Sequence, residues 1–151
     1  MIEDLIEKIN LHRQRAKMAL KELRQIDLDV DIFKDFEKIK VIDTFIYRFI
    51  KFQDMLGDKF FKVFLDELGE YKDNFSFIDV LDKLEKLEFI DDMEKFRRYR
   101  KLRNELTHEY PSNEEYILEG IREAILAFDD LEQVFEKMVD YYQKILRAKE
   151  K

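Results

Sequence analysis

Residues 113–148 read NEEYILEGIREAILAFDDLEQVFEKMVDYYQKILRA. Within this stretch Ile117, Ile121, Ala124, Phe128, Leu131, Phe135, Met138, Tyr142 and Ile145 recur at alternating intervals of four and three, without a slip. That is the period of an α-helix with one buried face, the seam of a helical bundle. A helix with one apolar stripe needs partners to cover it, so the rest of the chain is read for more of the same.

Working outward, Pro111 ends the preceding helix, because the residue before a proline avoids helical geometry. Ser112-Asn113-Glu114-Glu115 has the Ser-x-x-Glu form of a capping box. Upstream, Asp91-Asp92 lead into a helix over 92–109 with the stripe Met93, Phe96, Tyr99, Leu102 and Leu106. Residues 76–89 predict a short helix, preceded by a loop at Tyr71–Phe75. The second helix is expected over about 32–68 and holds eight of the fourteen Phe: 33, 36, 45, 49, 52, 60, 61 and 64. Ile42, Phe45, Phe49, Phe52 and Leu56 form its main stripe, flanked by Ile39, Ile46 and Ile50. So wide a stripe points to a central helix, or to one that also meets a second subunit. Gly57 is a candidate bend and Gly69 a candidate C-terminal stop. Residues 2–26 form the first helix, with Ile2, Leu5, Ile9, His12, Ala16, Ala19, Leu23 and Ile26 on one face. Asp27, Asp29 and Asp31 follow as cap candidates. The expected fold is all-α: one antiparallel four-to-five-helix bundle, a single domain over residues 1–151.

Composition agrees. A chain of 151 residues can bury roughly 70% of its unfolded surface. With three Gly, one Pro and no Cys, it lacks the turns of a β-sandwich and the ligands of a disulfide scaffold or thiolate zinc site. Gly57, Gly69 and Gly120 lie too far apart for a phosphate-binding loop. Lys and Arg total 28 against 35 Asp and Glu, a net charge of −7. That field opposes general coating of nucleic acid but permits a local basic site. No stretch approaches the roughly 18 apolar residues of a membrane span, and the acidic start Met1-Ile2-Glu3-Asp4 does not resemble a signal peptide. The expectation is a cytoplasmic protein without a membrane partner.

Two His are present. His12 falls on the stripe of the first helix and reads as a packed histidine. His108 lies in the last turn of the helix over 92–109. From Lys95 to Arg103, six of nine residues are basic. Such runs commonly form solvated faces, and helical spacing spreads this one over several faces. Its concentration of Arg also makes Arg97, Arg98, Arg100 and Lys101 candidate anion or RNA contacts. A di-iron bundle needs two Glu-x-x-His pairs, and only Glu105 with His108 qualifies, so no metal is expected. Ser76 and Ser112 read as turn or cap residues rather than nucleophiles. Asp91-Asp92 and Asp129-Asp130 read as cap and surface groups.

The stretch Arg103-Asn104-Glu105-Leu106-Thr107-His108-Glu109-Tyr110 resembles the Arg-x4-His-x-Tyr motif of HEPN-domain toxins of the HepT-like family. In that family the Arg is commonly followed by a polar residue, often Asn, and the motif sits near the end of an internal helix of an all-α bundle. The resemblance implies a metal-independent endoribonuclease toxin, without cofactor, acting as a homodimer on RNA. It implies a minimal nucleotidyltransferase antitoxin as partner, which silences the toxin by transferring AMP to the motif tyrosine, here Tyr110. Close relatives also carry the label nucleotidyltransferase substrate-binding protein. That label describes the alternative: a non-catalytic helical subunit that docks a nucleotidyltransferase.

The residues suit this chemistry. RNA carries its own nucleophile, the 2′-OH, so no protein nucleophile or metal is needed. His108 can move a proton near neutral pH, and Arg103 can meet charge developing on phosphate. The two are five residues apart, about 140° round a helix, so one helix alone positions them poorly. Pairing two copies would bring both sets to one cleft. Asn104 shares a helical face with His108 and could orient it or bind phosphate. Arg103 and Tyr110 are roughly aligned, so AMP on Tyr110 would set a phosphate beside Arg103 and block RNA.

Overall fold

Phe45, Phe49, Phe52, Phe60 and Phe64, spaced four, three, eight and four residues apart, run down the middle of the molecule, and the helices are arranged around them. The structure is a computed structural model and describes residues 2–107 and 113–149. Helix α1 spans Ile2–Leu23. A 3-10 turn, Val30–Lys34, leads to α2, Phe36–Asp54, which continues through a π turn, Met55–Phe60, into α3, Phe61–Glu67. The short α4 covers Phe77–Lys86, α5 Met93–Thr107 and α6 Glu114–Tyr141. A second π turn, Tyr142–Leu146, and a last turn, α7, Arg147–Lys149, complete the described chain.

Side-chain pairs fix the directions. Tyr142 bonds Glu3 and Arg13 bonds Glu132, so α1 and α6 are antiparallel. Asp54 meets Arg103 and Asp58 meets Arg100, so α2 and α5 are antiparallel. Phe45 packs on Phe128, Phe52 on Phe135 and Phe64 on Tyr141, so α2 and α6 run parallel across the diagonal. The result is the all-α bundle expected: four long helices, with α4 as a short addition.

The Phe-rich face of α2 is core. Phe45, Phe49, Phe52, Phe60, Phe61 and Phe64 are all buried, Phe33 is half-buried and Phe36 is exposed. Phe52 meets Phe128 and Phe135 edge-on, with centroids 5.4 and 5.9 Å away. These offsets suit the ring quadrupoles and hold one packing arrangement.

Several boundaries differ from the sequence reading, each for a local reason. The first helix ends at Leu23 rather than 26. The helix expected from 32 begins at Phe36, because Asp35 is extended and caps it, its side chain accepting from the Glu37 N–H. Asp29 caps the 3-10 turn in the same way. The cap of α6 is Asn113, which accepts from the Tyr116 N–H; Ser112 lies outside the described residues. The capping box found is at Ser76 and Asp79, at the start of α4. At the far end of α6, Leu146 is buried and Ile145 is 40% exposed. The π turn there adds one residue to the turn, so the seam arrives one position late. Gly69 ends α3 as expected: at φ +73° it lets Glu70 N–H reach Leu65 O and Gly69 N–H reach Asp66 O. Glu88 ends α4 with the same pair of bonds at φ 66°, without being Gly.

Candidate functional site

At the π turn the long helix turns a polar side toward α5. Phe52 and Leu56 face the core, and Gln53 lies between them on the buried side, 9% exposed. Asp54 and Asp58, one turn apart, face α5, which presents Arg100 and Arg103, also one turn apart. The spacings match and two ion pairs form. Arg103 Nε and Nη2 each donate to Asp54 at 2.7 Å, a two-pronged clamp. Arg100 Nη1 donates to Asp58 at 3.1 Å.

The clamp fixes the Arg103 guanidinium, whose remaining terminal nitrogen, Nη1, donates to Asn104 Oδ1 at 3.4 Å. The Asp54 carboxylate beside it holds Arg103 more firmly protonated than usual. Gln53, Asp54, Gly57, Asp58, Phe77, Arg100, Arg103 and Asn104 line a cleft of about 180 Å³. The Arg100 guanidinium lies 4.1 Å over the Phe77 ring, contributed by α4.

Of the residues singled out in the sequence, Arg103, Asn104 and Arg100 meet at this cleft. Arg97 turns aside to pair with Glu94. Arg98 and Lys101 lie on another face of α5, beside Glu105, Tyr116, Glu119 and Glu123. His108 and Tyr110 lie outside the described residues. Among the described residues, no group of three or more His, Asp or Glu is gathered as a metal site would require, and no helix is long and apolar enough to cross a membrane.

His12 is half-buried at the α1–α2 contact, where Arg48 Nη1 donates to its Nδ1 at 3.1 Å. Burial, then the charges of Arg48, Lys51 and Arg15, lower its pKa below the ordinary value. Tyr99 donates to Asp130 at 2.6 Å, and Lys95 pairs with the same carboxylate at 2.9 Å. Burial and that bond push the Tyr99 phenol well above its ordinary range. Asp130 is therefore an interhelical anchor rather than a plain surface group.

Sequence reading missed Gln53, Asp54, Asp58 and Phe77. Gln53 carried a signal: it lies four after Phe49 and three before Leu56, a polar residue on an apolar stripe. Comparison with protein-family models, with curated proteins and with solved structures returns no match.

Proposed function

We propose that the chain is the toxin of a HEPN and minimal nucleotidyltransferase pair, a metal-independent endoribonuclease working through Arg103, Asn104 and His108. The observation that carries this reading is the Arg103 clamp. Asp54 occupies two nitrogens of the guanidinium, and Nη1 donates to the Asn that follows the motif Arg; both residues line the cleft. An arginine held in advance stabilises developing phosphate charge better than a mobile one.

In the reaction, the 2′-OH attacks the adjacent phosphorus and the bond to the 5′-oxygen breaks. Arg103 meets charge on the non-bridging oxygens and His108 moves the proton. The protein acts as a homodimer. An apolar groove of about 500 Å³ supports this; Ile39, Ile42, Ile46, Leu106 and Ile117 are among its walls, at the end of α5 that carries the motif. Arg100 adds an anion contact at the cleft, and Arg97, Arg98 and Lys101, on other faces of α5, meet RNA away from it. The cytoplasm is the site of action, and AMP transfer to Tyr110 by the antitoxin silences the cleft.

Purified protein incubated with RNA and EDTA tests the reading. Wild type is expected to cut, and His108→Ala to abolish cleavage and relieve growth inhibition; a wild type that cuts no RNA and slows no growth would falsify the toxin reading. After co-expression with the nucleotidyltransferase, intact mass is expected to rise by whole AMP units mapping to Tyr110.

The same clamp favours a second reading. With two of its donors taken by Asp54, Arg103 has less to offer a phosphate, as suits a non-catalytic subunit that docks a nucleotidyltransferase. That reading predicts stable binding of the partner with no RNA cleavage by either form.

A further inference from the structure

Five arginines of the bundle, Arg13, Arg24, Arg97, Arg100 and Arg103, each pair with a carboxylate. At the α1–α2 contact that pattern breaks. Among the described residues, no carboxylate pairs with Arg15, Arg48 or Lys51, although the chain has 35 Asp and Glu against 28 Lys and Arg. Arg48 Nη1 instead donates to His12 Nδ1 at 3.1 Å. An arginine can only donate, so this ring nitrogen accepts without a proton. Arg48 is held in place by an uncharged acceptor and keeps its full charge, whereas Arg103 is matched by Asp54. The Tyr47 ring gathers the next cation. Arg48 Cζ lies over it at 5.1 Å and Lys51 Nζ at 5.6 Å. Arg15, Arg48 and Lys51 all add to burial in lowering the His12 pKa, so the three charges bear on one point.

Like charges held side by side repel unless an anion joins them. The shape of the patch narrows that anion. Arg15 and Arg48 stand at one end of an open groove of about 430 Å³ between α1 and α2. Glu22 and Glu37 line its other end, seven residues along α1 from Arg15 and eleven along α2 from Arg48. A broad anionic surface laid on this face would meet those carboxylates, as well as a net charge of −7. A narrow strand crossing the basic end would not. Lys51 is also one turn before Asp54, about 4.5 Å along the α2 axis, so the patch adjoins the cleft that Asp54 and Arg103 line. Two guanidiniums and an ammonium are suited to successive phosphates of one strand.

We infer that Arg15, Arg48 and Lys51 form a second phosphate site, which holds the backbone of a single-stranded RNA where it passes from the Arg103 cleft across α2 toward α1. The inference rests on the RNA reading and extends it, since it names the path of the strand beside the cut phosphate. The site reads charge and not sequence, because backbone contacts position a nucleic acid without distinguishing its bases.

The probe is a short single-stranded RNA with 2′-O-methyl groups, which keeps the phosphates but lacks the nucleophile for cleavage. Arg15 and Lys51 are exposed, so Arg15→Gln with Lys51→Gln removes two charges without disturbing the core. Lys34→Gln with Lys86→Gln removes the same charge from exposed positions outside the patch. By fluorescence anisotropy the first pair is expected to bind about ten-fold more weakly than wild type, with a salt slope shallower by about 1.4, and the second pair to bind within about two-fold of wild type. Saturation with the RNA is expected to raise the His12 pKa, followed by NMR, because phosphate offsets the cations that lower it. The inference is overturned if Arg15→Gln with Lys51→Gln binds as wild type does, if the two pairs lose affinity equally, if the His12 pKa stays put at saturation, or if vesicles of phosphatidylserine and phosphatidylcholine bind the patch and the RNA does not. Cleavage of unmodified RNA is scored separately. Binding through Arg15 and Lys51 without any cleavage supports the phosphate site and removes the ribonuclease; cleavage with binding indifferent to both residues does the reverse.

Discussion

The long helix built from α2 and α3 shows two faces of opposite character. Toward α6 it presents Phe45, Phe52, Phe60 and Phe64, locked edge-on against Phe128, Phe135 and Tyr141. Toward α5 it presents Asp54 and Asp58, bonded to Arg103 and Arg100 around a cleft. The first face buries apolar area and leaves no polar group to satisfy. The second combines part-exposed ion pairs, a π turn and the Gln53 amide, whose Oε1 has no hydrogen-bond partner among the described residues, a poor design for stability alone. One face holds the bundle together, and the other is where the proposed chemistry is placed.

The largest effect should come from the dry face. Phe52→Ala removes a fully buried ring with two edge-on neighbours and is expected to destabilise by about 4 kcal/mol in urea unfolding. A loss below about 1 kcal/mol would mean that the aromatic layer does not carry the fold. On the wet face, Asp54→Asn keeps the shape but removes the countercharge of Arg103, whose side chain is 26% exposed. About 1 kcal/mol of stability is expected to go. RNA cleavage should fall much further, about a hundred-fold, as the guanidinium loses its fixed position. Equal losses in stability and activity would erase the contrast between the faces.

Two smaller changes probe the bundle away from both. Glu88→Gly relieves a left-handed residue at the end of α4 while keeping the bond from Lys137 Nζ to its backbone carbonyl. It is expected to stabilise by about 1 kcal/mol, read as a higher urea midpoint with unchanged cleavage. The smallest effect concerns His12. Its folded pKa lies below the ordinary 6.5, so the unfolded chain binds the proton more readily. Its contribution is present above about pH 6.5 and is lost as the pH falls through the folded value. His12→Gln should flatten that acid slope while leaving stability near pH 8 little changed.

The dry face was legible because periodicity is a local signal. The seam from Ile117 to Tyr142 and the stripe from Ile42 to Leu56 both follow from spacing, and both line the core or pack against it. Legibility failed where a helix changed its turn. Gly57 marked a bend, but nothing in the sequence announced a π turn, and the one at Tyr142–Leu146 handed the buried position from Ile145 to Leu146. The wet face was half legible. Arg103 and Asn104 stood out by motif, whereas the partner of Arg103 lies 49 residues away on another helix. Only tertiary structure brings Asp54 there, although the matching one-turn spacings of Asp54 with Asp58 and Arg100 with Arg103 are visible in retrospect. Arg97 and Arg98 show the reverse. A basic run looks like one patch in sequence, and the helix turns its members to different faces.

In the proposed division of labour, the face toward α5 carries the activity and the face toward α6 the stability. The most direct measurement is the rate of RNA cleavage in EDTA by wild type and Arg103→Ala, alongside the urea midpoint of each. Wild type is expected to cut, and Arg103→Ala to unfold within about 1 kcal/mol of it but to cut at least a hundred-fold more slowly. Cleavage by Arg103→Ala at the wild-type rate, or its loss only together with the fold, would contradict it.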